Sequence, residues 1–74
     1  MAIGDKLREL RMALDKTQAE VAEAVGISRS YLAGLERGHE RPSVDVTLRL
    51  ADFFRVSIDY LLGRDGERRD GSAE

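Results

Sequence analysis

The chain has 74 residues with no Cys and a single His, and its 12 basic residues are outnumbered by 14 acidic ones, for a formal net charge of −2. This excludes a disulfide framework and a thiolate metal site, and one imidazole makes poor material for zinc. A chain this short buries a small share of its surface, so any core must come from aliphatic packing. Hydrophobic residues make up 42% and Pro occurs once, which favours one all-α domain. No apolar run approaches the roughly 18 residues that span a bilayer. The amino-terminal stretch carries Asp5, Lys6, Arg8 and Glu9, unlike a signal peptide. A soluble, cytoplasmic protein without membrane contact is expected.

The first predicted helix runs from Ile3 to Leu14. Ile3, Leu7, Leu10 and Leu14 recur at spacings of four, three and four and share one face. A second starts at TQAE, where Thr17 suits an N-cap and Glu20 completes a capping box. Val21, Ala22 and Val25 give its buried stripe. Gly26 follows where a left-handed residue ends a helix and a Cβ would be costly. At about two turns this helix is too short to be stable alone.

Ser28 caps a third predicted helix, 28–36, with Leu32 and Leu35 pointing one way. Arg29, Ser30, Ala33, Gly34 and Arg37 point elsewhere, and the small Ala33 and Gly34 are expected to keep that outer face flat. Residues 38–42, GHERP, form a loop. Ser43 caps a fourth helix whose stripe is expected to be Val44, Thr47, Leu48, Ala51 and Phe54. Arg55 stands at its end, where Gly or Asn would be easier. Ser57 caps a short fifth helix, IDYLL, with Asp59 in its first turn and Gly63 at its end. Residues 64–74 contain no large aliphatic side chain and are expected to be a polar, disordered tail on a domain of residues 1–63.

Two short helices joined by a tight Gly-containing turn are the signature of a helix-turn-helix, whose second helix enters the major groove. The small Ala22 suits a close crossing, Gly26 permits the turn, and Ile27, Leu32 and Leu35 anchor the second helix.

The stretches TQAEVAEAVGISRSYLAGLERG, RPS and VSIDYLLG resemble the phage repressor/Cro-like, or Xre-type, helix-turn-helix family, and the similarity covers Ile3 to Gly63. The resemblance implies a compact five-helix bundle of the lambda-repressor-like DNA-binding type. Its members are usually transcriptional regulators that bind operators as dimers. Double-stranded DNA is then the expected partner, and nothing calls for a cofactor, a metal or a small-molecule ligand.

Matched position by position, the resemblance implies a phosphate contact for Gln18 and base contacts for Arg29 and Ser30. It places the hydroxyls of Ser28 and Tyr31 at the groove edge. Gly34 falls where relatives often carry a long polar reader, so that contact is absent or replaced by close backbone approach. Arg37, His39 and Arg41 fall beside the loop that follows, near the DNA backbone. Arg11 and Glu36 match a structural pair bridging the first and third helices. Lys16 stands where an apolar residue is common, so its stem is expected to be buried with the amine lifted toward phosphate. Thr47 replaces a frequent Leu.

An acidic protein that binds DNA must segregate its charge, because affinity is largely phosphate neutralisation. Lys16, Arg29, Arg37 and Arg41 form the groove-facing basic set, against Glu23 and Glu40 as local negatives. The stripe is thin, so binding is expected to lean on dimerisation and helix amides. Phe53, Ile58, Tyr60 and Leu61 are the candidates for a two-fold contact, with repacking inside the core as the competing use of these side chains. A second reading is an antitoxin or protein-interaction module on the same fold, favoured by the net charge and the bare Gly34. Catalysis is disfavoured. Ser28, His39 and Asp45 could be named as a triad, but nothing brings them together, and no phosphate loop or metal-spaced carboxylate set appears.

Overall fold

A computed structural model describes residues 2–63. They form five helices: α1 (Ile3–Ala13), α2 (Gln18–Val25), α3 (Arg29–Arg37), α4 (Val44–Phe54) and α5 (Ile58–Leu61). No strand occurs among the described residues, and none of their helices is long and apolar enough to cross a membrane. The tail expected at 64–74 lies outside the described residues.

The boundaries follow from local chemistry. Thr17, Ser28, Ser43 and Ser57 sit at N-caps in extended backbone, and each side-chain oxygen accepts the N–H of the residue three further on. At α2 the capping box is complete, because the Glu20 carboxylate also accepts from the Thr17 N–H at 2.8 Å. Gly26 ends α2 with φ +86°, and its N–H donates to the Ala22 carbonyl. Arg55 ends α4 in the same left-handed region, at φ 58°, without the freedom of glycine.

The helices close around Leu7, Val21, Ala22, Val25, Leu32, Leu35, Leu50, Ala51 and Leu61. α3 packs on α1 and α2, α2 reaches α4, and α5 bridges α4 and α1. Gly4 lies at the α1–α3 contact. A Cβ there would stand 2.7 Å from the Glu36 carbonyl oxygen and collide with that of Leu35 as well. Arg49 ties α4 to the end of α2, its Nη1 donating to the Val25 carbonyl at 3.2 Å while its guanidinium pairs with Asp45 one turn back.

Burial differs from expectation at Leu14, Val44, Leu48 and Leu61. Leu14 is half-exposed, because α1 ends before it and the chain turns away. Val44 and Leu48 are exposed, whereas Thr47 and Ala51 are buried as expected, joined by Leu50, with Val46, Phe53 and the expected Phe54 against the core. Leu61, expected at a two-fold contact, is fully buried. It closes the core from α5 and has no surface to offer a partner. Thr47 satisfies its buried hydroxyl by donating to the Ser43 carbonyl at 2.8 Å.

Candidate nucleic-acid interface

The turn at Gly26 sets α2 and α3 so that the start of α3 faces the start of α2. Lys16, Thr17, Gln18 and Ala19 share an open depression of about 550 Å³ with Arg29, Arg11, Met12 and Asp15. The structure therefore gathers three of the expected DNA-contacting residues, Lys16, Gln18 and Arg29, at one place. The first N–H groups of a helix have no acceptor within it. Those of Gln18 and Ala19 open there, the Glu20 N–H being taken by the Thr17 hydroxyl, and they add partial positive charge to two cationic side chains.

A polar cluster braces this corner. The Arg11 guanidinium grips Glu36 through Nε to Oε2 at 2.7 Å and Nη2 to Oε1 at 3.0 Å, and its Nη1 donates to the Lys16 carbonyl at 2.9 Å. Gln18 Nε2 donates to Glu36 Oε1 at 3.1 Å. One carboxylate thus joins α1, α2 and α3. The Glu36 side chain is 3% exposed and that of Arg11 14%, so the pair is largely removed from water. The Arg11 guanidinium is held above its ordinary pKa, first by the hydrogen bond to Glu36. It stays charged.

Along α3, Arg29, Ser30 and Arg37 are exposed, as are Ser28 and Lys16. The structure therefore does not bury the Lys16 stem as expected. Ala33 and Gly34, expected on a flat outer face, are buried. Helical spacing does put Gly34 on the outer stripe, but the chain after α3 folds back and lays Glu40 over it. The Tyr31 hydroxyl, expected at the groove edge, donates to the Arg41 carbonyl at 3.0 Å and holds the α3–α4 loop. Ser28 Oγ accepts the Tyr31 N–H, which leaves its own hydrogen free to donate. His39 is exposed in the loop, and its N–H donates to the Gly34 carbonyl at 2.8 Å. Arg41 lines a separate groove with Ala2, Ile3, Pro42 and Leu62, so it is not gathered with Arg29.

At the expected two-fold contact, Phe53, Ile58 and Tyr60 are half-buried against the core. Phe53 meets Phe54 edge to face at 5.0 Å, and Lys6 Nζ stands 4.4 Å over the Tyr60 ring. Gly4 and Arg49 escaped the sequence reading, and Glu40 entered it only as a local negative, not as the cover of Gly34. Each acts on a segment far along the chain or across a loop, and no local pattern marks such a contact.

Five helices, with a Gly turn ahead of an α3 that keeps Arg29, Ser30 and Arg37 exposed, define a helix-turn-helix DNA-binding domain. A model of the helix-turn-helix family matches residues 7–61, and the chain belongs to this family in its phage-repressor-like, Xre-type form. The family is one of DNA-binding transcriptional regulators, not enzymes. Among relatives, the HTH-type transcriptional regulator ImmR of Bacillus subtilis is 40% identical over 65 residues, covering 88% of this chain and 51% of its own length. The cryptic phage CTXphi transcriptional repressor RstR of Vibrio cholerae is 38% identical, covering 86% of this chain and 57% of its own. The chain thus spans about half the length of these curated relatives. The P22 c2 repressor, solved in complex with a synthetic operator, superposes with a TM-score of 0.83 at 31% identity, covering 88% of this chain and 98% of that one.

Proposed function

We propose that this chain is a sequence-specific transcriptional regulator of the cytoplasm that reads double-stranded DNA with α3 in the major groove, as a homodimer on a two-fold operator. The observation that carries the reading is the depression where Lys16, Gln18 and Arg29 meet the amino terminus of α2. A DNA backbone seated there would receive two cations, helix amides and the second amide hydrogen of Gln18, which Glu36 leaves unused. With the backbone so placed, the start of α3 faces the bases. The P22 c2 repressor, which shares this fold, was solved on an operator.

Arg29 is the principal reader. A guanidinium can donate two hydrogen bonds to guanine O6 and N7 at once, an arrangement that contributes about 1–3 kcal/mol of discrimination. Ser30 and Arg37 follow on the exposed stripe, Arg37 toward the backbone with His39. Phe53, Ile58 and Tyr60 are the two-fold contact, each half-buried against the core with part of its side chain left to meet a second copy. A dimer doubles a thin basic stripe, which a chain of net charge −2 requires.

Selection from a random double-stranded DNA pool tests the reading. A palindromic consensus is the expected outcome. In a parallel selection Arg29→Ala relaxes one base pair per half-site and leaves the others. A single half-site without symmetry would remove the dimer, and an unchanged consensus for the variant would remove Arg29 as reader. No salt-sensitive retention of any DNA would hand the fold to the protein-interaction reading.

A further inference from the structure

We infer that Glu40 is a specificity-determining residue, its carboxylate standing on the outer stripe of α3 in place of the side chain that Gly34 lacks and selecting a cytosine in the major groove. This rests on the DNA-binding reading above.

The placement comes from three observations. Gly34 lies four residues after Ser30 and three before Arg37, so all three share one helical stripe. Gly34 is nonetheless buried, because the Glu40 side chain covers it. A Cβ on Gly34 would meet Glu40 Cγ at 2.6 Å, Cβ at 3.5 Å and Cδ at 3.7 Å. The cover is held by the backbone rather than by chance. Gly38 turns the chain with φ +83°, and the N–H groups of His39 and Glu40 both donate to the Gly34 carbonyl, at 2.8 and 3.2 Å. A side chain from the loop is thereby delivered to the face that α3 leaves bare.

The chemistry follows from the charge. An ionised carboxylate only accepts hydrogen bonds. In the major groove the base-edge donors are the amino groups of cytosine and adenine. Guanine presents two acceptors there, and adenine sets an acceptor beside its donor, so both meet the second carboxylate oxygen unfavourably. Cytosine offers its amino group without that conflict. The same negative charge repels phosphate, so Glu40 trades general affinity for discrimination.

The test compares the wild-type chain with Glu40→Gln and Gly34→Ala in random-pool selection, followed by titration on the selected operator and on the same operator with that cytosine changed to guanine. Glutamine keeps the shape over Gly34 and removes the charge. Alanine at 34 keeps the charge but evicts Glu40 Cγ from its seat, and it suits a helix better than glycine does. Both variants are expected to melt no lower than wild type. The expected result is about tenfold wild-type discrimination for cytosine over guanine at one position per half-site, falling to twofold or less in both variants, with Glu40→Gln binding the guanine operator more tightly than wild type. Retention of the cytosine preference in Glu40→Gln overturns the proposal. Its loss there but not in Gly34→Ala overturns the seating on Gly34. If wild type selects an operator that both variants read identically, Glu40 alone is wrong. If wild type selects nothing, the DNA-binding reading falls and Glu40's role with it.

Discussion

Glu36 receives three side-chain hydrogen bonds from two different helices, two from Arg11 and one from Gln18. Taking a carboxylate and a guanidinium out of water is costly, and what remains when one is deleted is an uncompensated charge. Glu36→Ala should therefore destabilise the fold by about 3–5 kcal/mol, read as a lower denaturant midpoint. A loss below about 1 kcal/mol would mean the pair is as dispensable as an ordinary surface bridge. The first two partners are separated by 25 residues, so only family resemblance pointed to them. Gln18 as the third member was not legible. Which way its amide turns depends on how α2 crosses α3, and no feature of TQAE encodes that.

At the scale of elements, caps were legible because a cap is local: an oxygen and an amide three residues apart. α2 carries the most complete one, and its Glu20 titrates below the ordinary carboxylate range, chiefly because the Thr17 N–H donates to it. A carboxylate whose pKa is depressed on folding adds stability above its unfolded pKa and loses that contribution as pH falls through the folded one. The amino terminus of α2 should accordingly fray on acidification, beginning in the usual carboxylate range and ending below it. The Thr17 amide resonance, followed by NMR against pH, should titrate with the Glu20 side chain, and Glu20→Gln should abolish that response. A pH-independent Thr17 amide in the wild type would contradict the capping role. The face of α4 was less legible than its ends. Residues 44–54 are apolar at 44, 46, 48, 50, 51, 53 and 54, so more than one helical stripe fits the pattern. The selection of 47, 50 and 51 over 44 and 48 came from packing on α2 and α5.

For the whole molecule, the approach of α1 to α3 sets where everything else can stand. Gly4 makes that approach possible by letting backbone meet backbone, and the atoms in the way of a Cβ are carbonyl oxygens that cannot swing aside. Gly4→Ala is expected to cost about 1–3 kcal/mol by overpacking, despite alanine's better helix propensity. A thermal melt at or above the wild-type temperature would show that α1 can shift without consequence. Such a shift would also move Arg11, and through Glu36 the Gln18 side chain, so the variant should weaken DNA binding beyond what its unfolded fraction explains.

From the sequence alone come the five helices, their caps, the Gly26 turn and the exposure of Arg29 and Ser30, since each depends on residues within a turn or two of one another. The tertiary structure decided which face of α4 is wet, that Leu61 belongs to the core, that Gly4 is a point of helix contact, and that Glu40 covers Gly34. These depend on how segments far apart in the chain come to rest against each other. Propensity and periodicity constrain a helix along its own axis and leave open what it will meet.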